Sequence, residues 1–123
     1  MKELTPDLFK NALLAERGSI TDRYRAMLKA HYQADEHTLT ATELASAAGY
    51  DNYSAANLHY GMLGKLLGAH LPIEPEKRDD ETPIWTTILA EGDPERTEEE
   101  HYRWIMRAEL VQALKELPWG MDK

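Results

Sequence analysis

The chain has no cysteine, a single phenylalanine and fewer basic than acidic residues. Without cysteine there is no disulfide framework, no thiolate zinc site and no thiol nucleophile, which suits a reducing compartment. No stretch approaches the roughly 18 consecutive apolar residues that read as a membrane span. The opening MKELTPDLFKNALLAERG is an amphipathic start with acids inside it, so a soluble, cytoplasmic protein is expected.

Signatures of catalysis are missing as well. GxSxG, GxxxxGK[ST], GxGxxG and HExxH do not occur. His31, His37, His59, His70 and His101 are scattered, and the adjacent pair Glu100 and His101 cannot share one helical face. The paired acids Asp79 with Asp80, and Glu98 to Glu100, fall in expected loops, with no buried neighbour to shift them toward acid–base work. Neither an enzyme, a metal nor a cofactor is expected.

The formal net charge is −8, and it is unevenly placed. Residues 1 to 40 contribute 0, residues 41 to 70 contribute −1 and residues 71 to 123 contribute −7. The acid belongs to two runs, EPEKRDDE at 74 to 81 and EGDPERTEEE at 91 to 100. A plain basic face of the kind that supplies phosphate contacts is not visible.

What is present is helical punctuation. From Thr38 to Leu67 the chain reads as a helix, a tight turn on Gly49 and a second helix. Thr40 caps the first of these, with Glu43 three residues on completing a capping box, and Leu44 with Ala47 or Ala48 faces the core. Gly49 closes that helix in the left-handed conformation, and Tyr50, Asp51 and Asn52 lead into the next.

Before the motif, Thr5 and Pro6 open a helix running to Arg17, with Leu8, Phe9, Ala12 and Leu13 facing inward. Ser19 with Asp22 opens a second, whose Arg23, Arg25 and Lys29 form a basic side opposite Tyr24, Met27 and Leu28. That side is either a solvated face or a small phosphate-contacting patch. After the motif, LPIEPEKRDDETP reads as a loop. Ile84 to Ala90 and His101 to Met106 read as two strands of a hairpin with a long polar tip, and a closing helix over 108–117 carries Leu110, Val111, Leu114 and Leu117 on one stripe.

The expected fold is therefore mainly α with a β-hairpin: a winged-helix-like helix-turn-helix domain of about five helices. At 123 residues one domain over 1–123 is expected, with the motif at 40–68, the wing at 84–106 and Gly92 at its tip.

The runs ELASAAGY, NYSAANLHYGMLGKLL, IWTTILAEG and HYRWIMRAELVQALKELPW resemble a small bacterial winged-helix-like domain that accompanies HNH endonucleases and related restriction proteins. The resemblance spans about Ile20 to Trp119 and implies a role near DNA restriction or phage and host defence, as an accessory domain contacting DNA or a partner. The HNH zinc-and-histidine constellation is absent, so the resemblance does not imply nuclease activity.

If duplex DNA is bound, the second helix of the motif reads it. Ser54, Asn57 and Lys65, with Tyr53 or Tyr60, are then the reading residues, and Arg23, Arg25, Lys29, Arg103 and Arg107 supply the remaining cations. On the same helix Ala55, Leu58, Met62 and Leu66 are expected in the core. Gly61, Gly64 and Gly68 lie on one stripe, where another backbone can approach, either from within the fold or from a partner.

Two other classes stand beside the DNA reading. One is an acidic inhibitor of anti-restriction or anti-CRISPR type, whose Asp79, Asp80, Glu81, Glu98, Glu99 and Glu100 occupy the nucleic-acid groove of another protein; the same acids also serve plain solubility. The other is a homodimerisation module using the glycine stripe with Trp85, Trp104 and Trp119.

Overall fold

The computed structural model of the protein describes residues 3–92 and 102–122. Helix α1 spans Pro6–Ala15; Thr5 accepts from the Leu8 amide and Pro6 sits where its missing N–H is not needed. Helix α2 spans Asp22–Gln33 and is capped by Thr21, whose hydroxyl accepts from the Tyr24 amide, rather than by Ser19. Residues 35–37 then form a 3₁₀ turn in which Glu36 and His37 both have positive φ. His37 Nδ1 donates to the Tyr32 carbonyl at 2.6 Å and helps hold that turn.

The turn delivers β1, Thr38–Thr40, straight into helix α3, Ala41–Ala48. Both halves of the capping box are made: Thr40 Oγ1 accepts from the Glu43 amide at 3.1 Å, and Glu43 Oε1 accepts from the Thr40 amide at 3.0 Å. Gly49 closes α3 at φ 78°. Helix α4, Tyr53–Gly68, starts at Asn52, which accepts from the Ala55 amide.

Beyond α4 the structure departs from the sequence pattern. Residues 71–83 are not simply a loop, because β2, Glu76–Lys77, pairs antiparallel with β3, Pro83–Ile84. The expected strand over 84–90 is strand only at its ends, Ile84 in β3 and Ala90 at the start of β4, Ala90–Gly92; between them Trp85–Ile88 is a 3₁₀ turn. Thr86, Thr87 and Ile88 are buried in succession, so the alternation a half-buried strand requires is lost. Hydroxyl and guanidinium groups satisfy the turn: Thr87 Oγ1 donates to the Ile84 carbonyl and accepts from the Glu76 amide, while Arg107 donates to the Thr87 and Ile88 carbonyls.

Strand β5, Arg103–Met106, lies at the centre of a three-stranded antiparallel sheet ordered β1-β5-β4, with Leu39 and Gly92 both opposite Trp104. Gly92 is thus a paired strand residue and not a tip. Helix α5, Ala108–Glu116, closes the chain against α1, and Lys10 Nζ meets Glu116 Oε1 at 2.8 Å. The order α2, β1, α3, α4, β4, β5 is winged-helix-like, with β1 as a strand the local sequence did not signal. No helix among the described residues is long and apolar enough to cross a membrane.

Phe9, Leu28, Leu44, Leu63 and Leu110 bring all five helices into one core. Helix α4 turns a different stripe inward from the one expected. Ala56, Tyr60, Leu63, Gly64 and Leu67 are buried, whereas Leu58 and Met62 are 62% and 50% exposed and Ala55 and Leu66 are half-buried. Both stripes are apolar in sequence, and the glycines select between them. A methyl group at Gly64 would overlap the Trp85 carbonyl oxygen and lie 2.9 Å from its carbonyl carbon. That side of α4 can face only the backbone of the 3₁₀ turn.

A buried polar clamp fixes the same face. His31 has no exposed surface; its Nδ1 lies 2.7 Å from the Tyr60 hydroxyl and its Nε2 lies 2.8 Å from the Trp104 carbonyl oxygen. A carbonyl only accepts, so Nε2 carries the proton and Nδ1 accepts from Tyr60. Burial lowers the His31 pKa from 6.5 to about 4, and burial raises that of Tyr60, so both are neutral in the folded chain at pH 7.

Two measurements check this account. Gly64→Ala should lose about 1–3 kcal/mol in urea unfolding, because the collision is with backbone and no rotamer relieves it. Gly61→Ala, whose methyl would meet its nearest neighbours at 3.6 and 3.8 Å, should be neutral or gain up to ~1 kcal/mol of helix propensity; equal shifts would remove the close-approach explanation.

For His31, the unfolded chain takes up a proton as pH falls through 6.5 while the folded chain resists until about 4. The stabilising contribution is complete above 6.5 and drains away between those values, by about 3 kcal/mol. Comparing unfolding free energies at neutral and acid pH, the wild-type loss should exceed that of His31→Gln by roughly that amount, and parallel losses would exclude the clamp as the cause.

Candidate binding groove

The stripe of α4 turned away from the core forms one wall of a groove of about 730 Å³. Ser54, Asn57, Leu58, Met62 and Lys65 line that wall. Lys77 and Arg78 at β2, with Pro83 and Ile84 of β3, form the other. Trp85 and Thr86 contribute from the 3₁₀ turn, and Tyr102 and Trp104 from the β5 side. A second depression of about 540 Å³ shares Lys65, Lys77, Pro83 and Trp85 and extends the surface toward Leu71 and Ile73.

Local chemistry explains why the walls stand where they do. The β2–β3 connection is held by the Arg78 amide donating to the Thr82 carbonyl and the Glu81 amide donating to the Arg78 carbonyl. Asp80 accepts from both the amide and the hydroxyl of Thr82, which holds its carboxyl below the usual range. Arg78 Nη1 donates to the Pro83 carbonyl at 2.9 Å, laying the guanidinium along the groove. Lys65 Nζ lies 5.9 Å from the centre of the Trp85 ring, within cation–π range. Behind the groove, the His31 clamp joins Tyr60 of α4 to the carbonyl of Trp104 in β5.

The described lining side chains combine exposed apolar surface, three cations and one carboxylate, Glu76. The indole N–H of Trp104 is buried and makes no hydrogen bond among the described residues. This arrangement suits holding an extended ligand that is apolar in part and anionic in part. No histidine or cysteine lies among the described lining residues to act as base or nucleophile beside Ser54.

The sequence-derived site residues are divided by the fold. Ser54, Asn57 and Lys65 come together on the groove wall. Tyr60 does not join them, being fully buried against His31. Arg23 and Arg25 are two residues apart on α2 and so project roughly 200° apart. Arg23 lies over the Tyr50 ring at 5.0 Å, and Tyr50 is itself stacked on His59, whereas Arg25 lies over Trp119 at 4.1 Å. Lys29 is half-buried. Two of the three cations of the expected basic side of α2 thus lie over separate aromatic rings, Arg23 remaining exposed.

Arg103 is exposed on β5 opposite Thr40. Arg107 is structural, with its guanidinium on the carbonyls of Thr87 and Ile88 and 3.3 Å from Glu91. Asp79, Asp80 and Glu81 are exposed in the turn between β2 and β3. Glu98, Glu99 and Glu100 lie outside the described residues.

Sequence reasoning missed Leu58, Met62, Lys77, Arg78 and Tyr102 as site residues, and named Trp85 only for a dimer interface. For Leu58 and Met62 a signal was present, since α4 carries two apolar stripes and a helix with one packed side has room for only one in the core. Compared with protein-family models, with curated proteins and with solved structures, the chain matches none of them.

Proposed function

We propose that this chain is a non-enzymatic binding module on a winged-helix-like scaffold, and that it takes a protein partner on the outward face of α4. One observation carries the reading. Among the described residues, the two large apolar side chains left exposed are Leu58 and Met62, one turn apart on this face. Exposed apolar side chains that adjoin a groove mark interaction surfaces, whereas singly scattered ones do not. The absence of cysteine suits a reducing cytoplasm, where we place the interaction.

A second reading, duplex DNA, is favoured by Ser54, Asn57 and Lys65 sharing that face at the position of a recognition helix. Asn57 would then pair with adenine, and the role would be the restriction or phage-defence accessory that the sequence resemblance implies. It ranks second because Arg23, Arg25 and Arg107 are engaged within the fold and the chain carries −8 overall.

A photo-crosslinking residue at position 62, introduced in the cells that make this protein, separates the two. Protein adducts from position 62 and none from the exposed Ser46 of α3 are expected. Nuclease-sensitive adducts, together with retardation of random duplex at low salt, would give the site to DNA; equal adducts from 62 and 46 would remove α4 as the working face.

A further inference from the structure

The geometry points to an acidic, apolar-anchored peptide segment of a partner protein as the occupant of the groove between α4 and the β2–β3 hairpin. The inference rests on α4 being the working face and adds the chemistry of what lies on it. Leu58 and Met62 give two apolar contacts at helical spacing, with Trp85 and Ile84 beside them. Apolar side chains of a single segment would cover all four.

Among the described lining residues the charge complement comes from Lys65, Lys77 and Arg78 against Glu76, a cationic excess on a chain of net charge −8. Carboxylates on the segment would meet those three cations, and the most suitable is Arg78, whose guanidinium is already oriented by its bond to the Pro83 carbonyl. Trp104 lines the groove with 7% of its surface exposed; its indole N–H is buried, so what it offers an occupant is ring surface beside Trp85.

A nucleic acid satisfies the cations but not the apolar wall of α4. Its phosphates would lie against Leu58 and Met62. A duplex is also broad enough to bring phosphates up to Asp79, Asp80 and Glu81, exposed in the turn of the β2–β3 wall. A single segment seated between α4 and β2 lies beside Lys77 and Arg78, which line the groove as those three acids do not.

Panning a random peptide library displayed on phage against the immobilised full chain tests this directly. The expected consensus places acidic residues around two or more apolar ones. A synthetic peptide of that consensus should bind about tenfold or more weakly to Leu58→Ser and to Met62→Ser, whose melting temperatures should stay near wild type because both side chains are exposed. Lys77→Glu should weaken binding and flatten its salt dependence, and the Trp104 indole proton resonance should move on complex formation.

A basic or purely apolar consensus whose binding still falls with Leu58→Ser would overturn the acidic partner while leaving α4 as the working face. Selected peptides indifferent to both Leu58→Ser and Met62→Ser would overturn the two together. Binding of a short oligonucleotide with the same Leu58 dependence would transfer the groove to nucleic acid.

Discussion

The contact of Gly64 with the Trp85 carbonyl decides the rest of this structure. A helix and a 3₁₀ turn can approach so closely only where the helix lacks a side chain, and α4 carries glycine at 61, 64 and 68 along the side that meets the turn. Three glycines weaken the helix in isolation. What they permit is a backbone-to-backbone fit that seats Thr86, Thr87 and Ile88 against α4, brings the Thr87 and Ile88 carbonyls to Arg107 and sets the start of β4. It also leaves Trp85 in the groove, between Lys65 and the β2–β3 hairpin. The groove is a by-product of that packing.

The His31 clamp acts on the same assembly from the opposite side. A histidine without solvent exposure is tolerable only if both ring nitrogens are satisfied, and here they are, by Tyr60 and the Trp104 carbonyl. Those partners belong to α4 and β5, which also supply groove-lining residues on their other faces. Separating them would strand a buried ring nitrogen, a buried hydroxyl or a buried carbonyl. The groove is therefore held by interactions made without any ligand, and an occupant meets a preformed surface, which limits the ordering entropy it must overcome.

What was legible in the sequence was what is locally determined. The α3–α4 turn depends on Thr40, Glu43, Gly49 and Asn52, each acting within a few residues, and every one is where the pattern placed it. The three-residue β1 gave no signal because its partner, β5, is more than sixty positions away and because its entry turn uses Glu36 and His37 at positive φ in place of glycine. The 84–90 run has strong β character by composition, but α4 buries three residues in succession there, and tertiary packing overrode propensity. The site was half legible. Ser54, Asn57 and Lys65 lie on the groove wall, while Leu58 and Met62, expected in the core, are exposed beside them because both stripes of α4 are apolar and only Gly64 and Tyr60 distinguish them.

Charge was the least transparent layer, since a run read as one acidic loop is partitioned by its hairpin. Of EKRDDE at 76–81, the structure places Glu76, Lys77 and Arg78 on the groove and Asp79, Asp80 and Glu81 in the turn. The Thr82 hydroxyl and amide bind the Asp80 carboxylate and favour its ionised form, so the turn stays acidic while the adjoining wall is cationic. Exposed charges of this kind add little to affinity, about 0–1 kcal/mol each. They act on orientation and encounter: a ligand of mixed charge is drawn in one direction along the hairpin, and a uniformly anionic one is opposed at its turn. Affinity for anything lying there must come from the apolar contacts at Leu58, Met62 and Trp85, and the charge pattern then sets which segments present themselves in the right register.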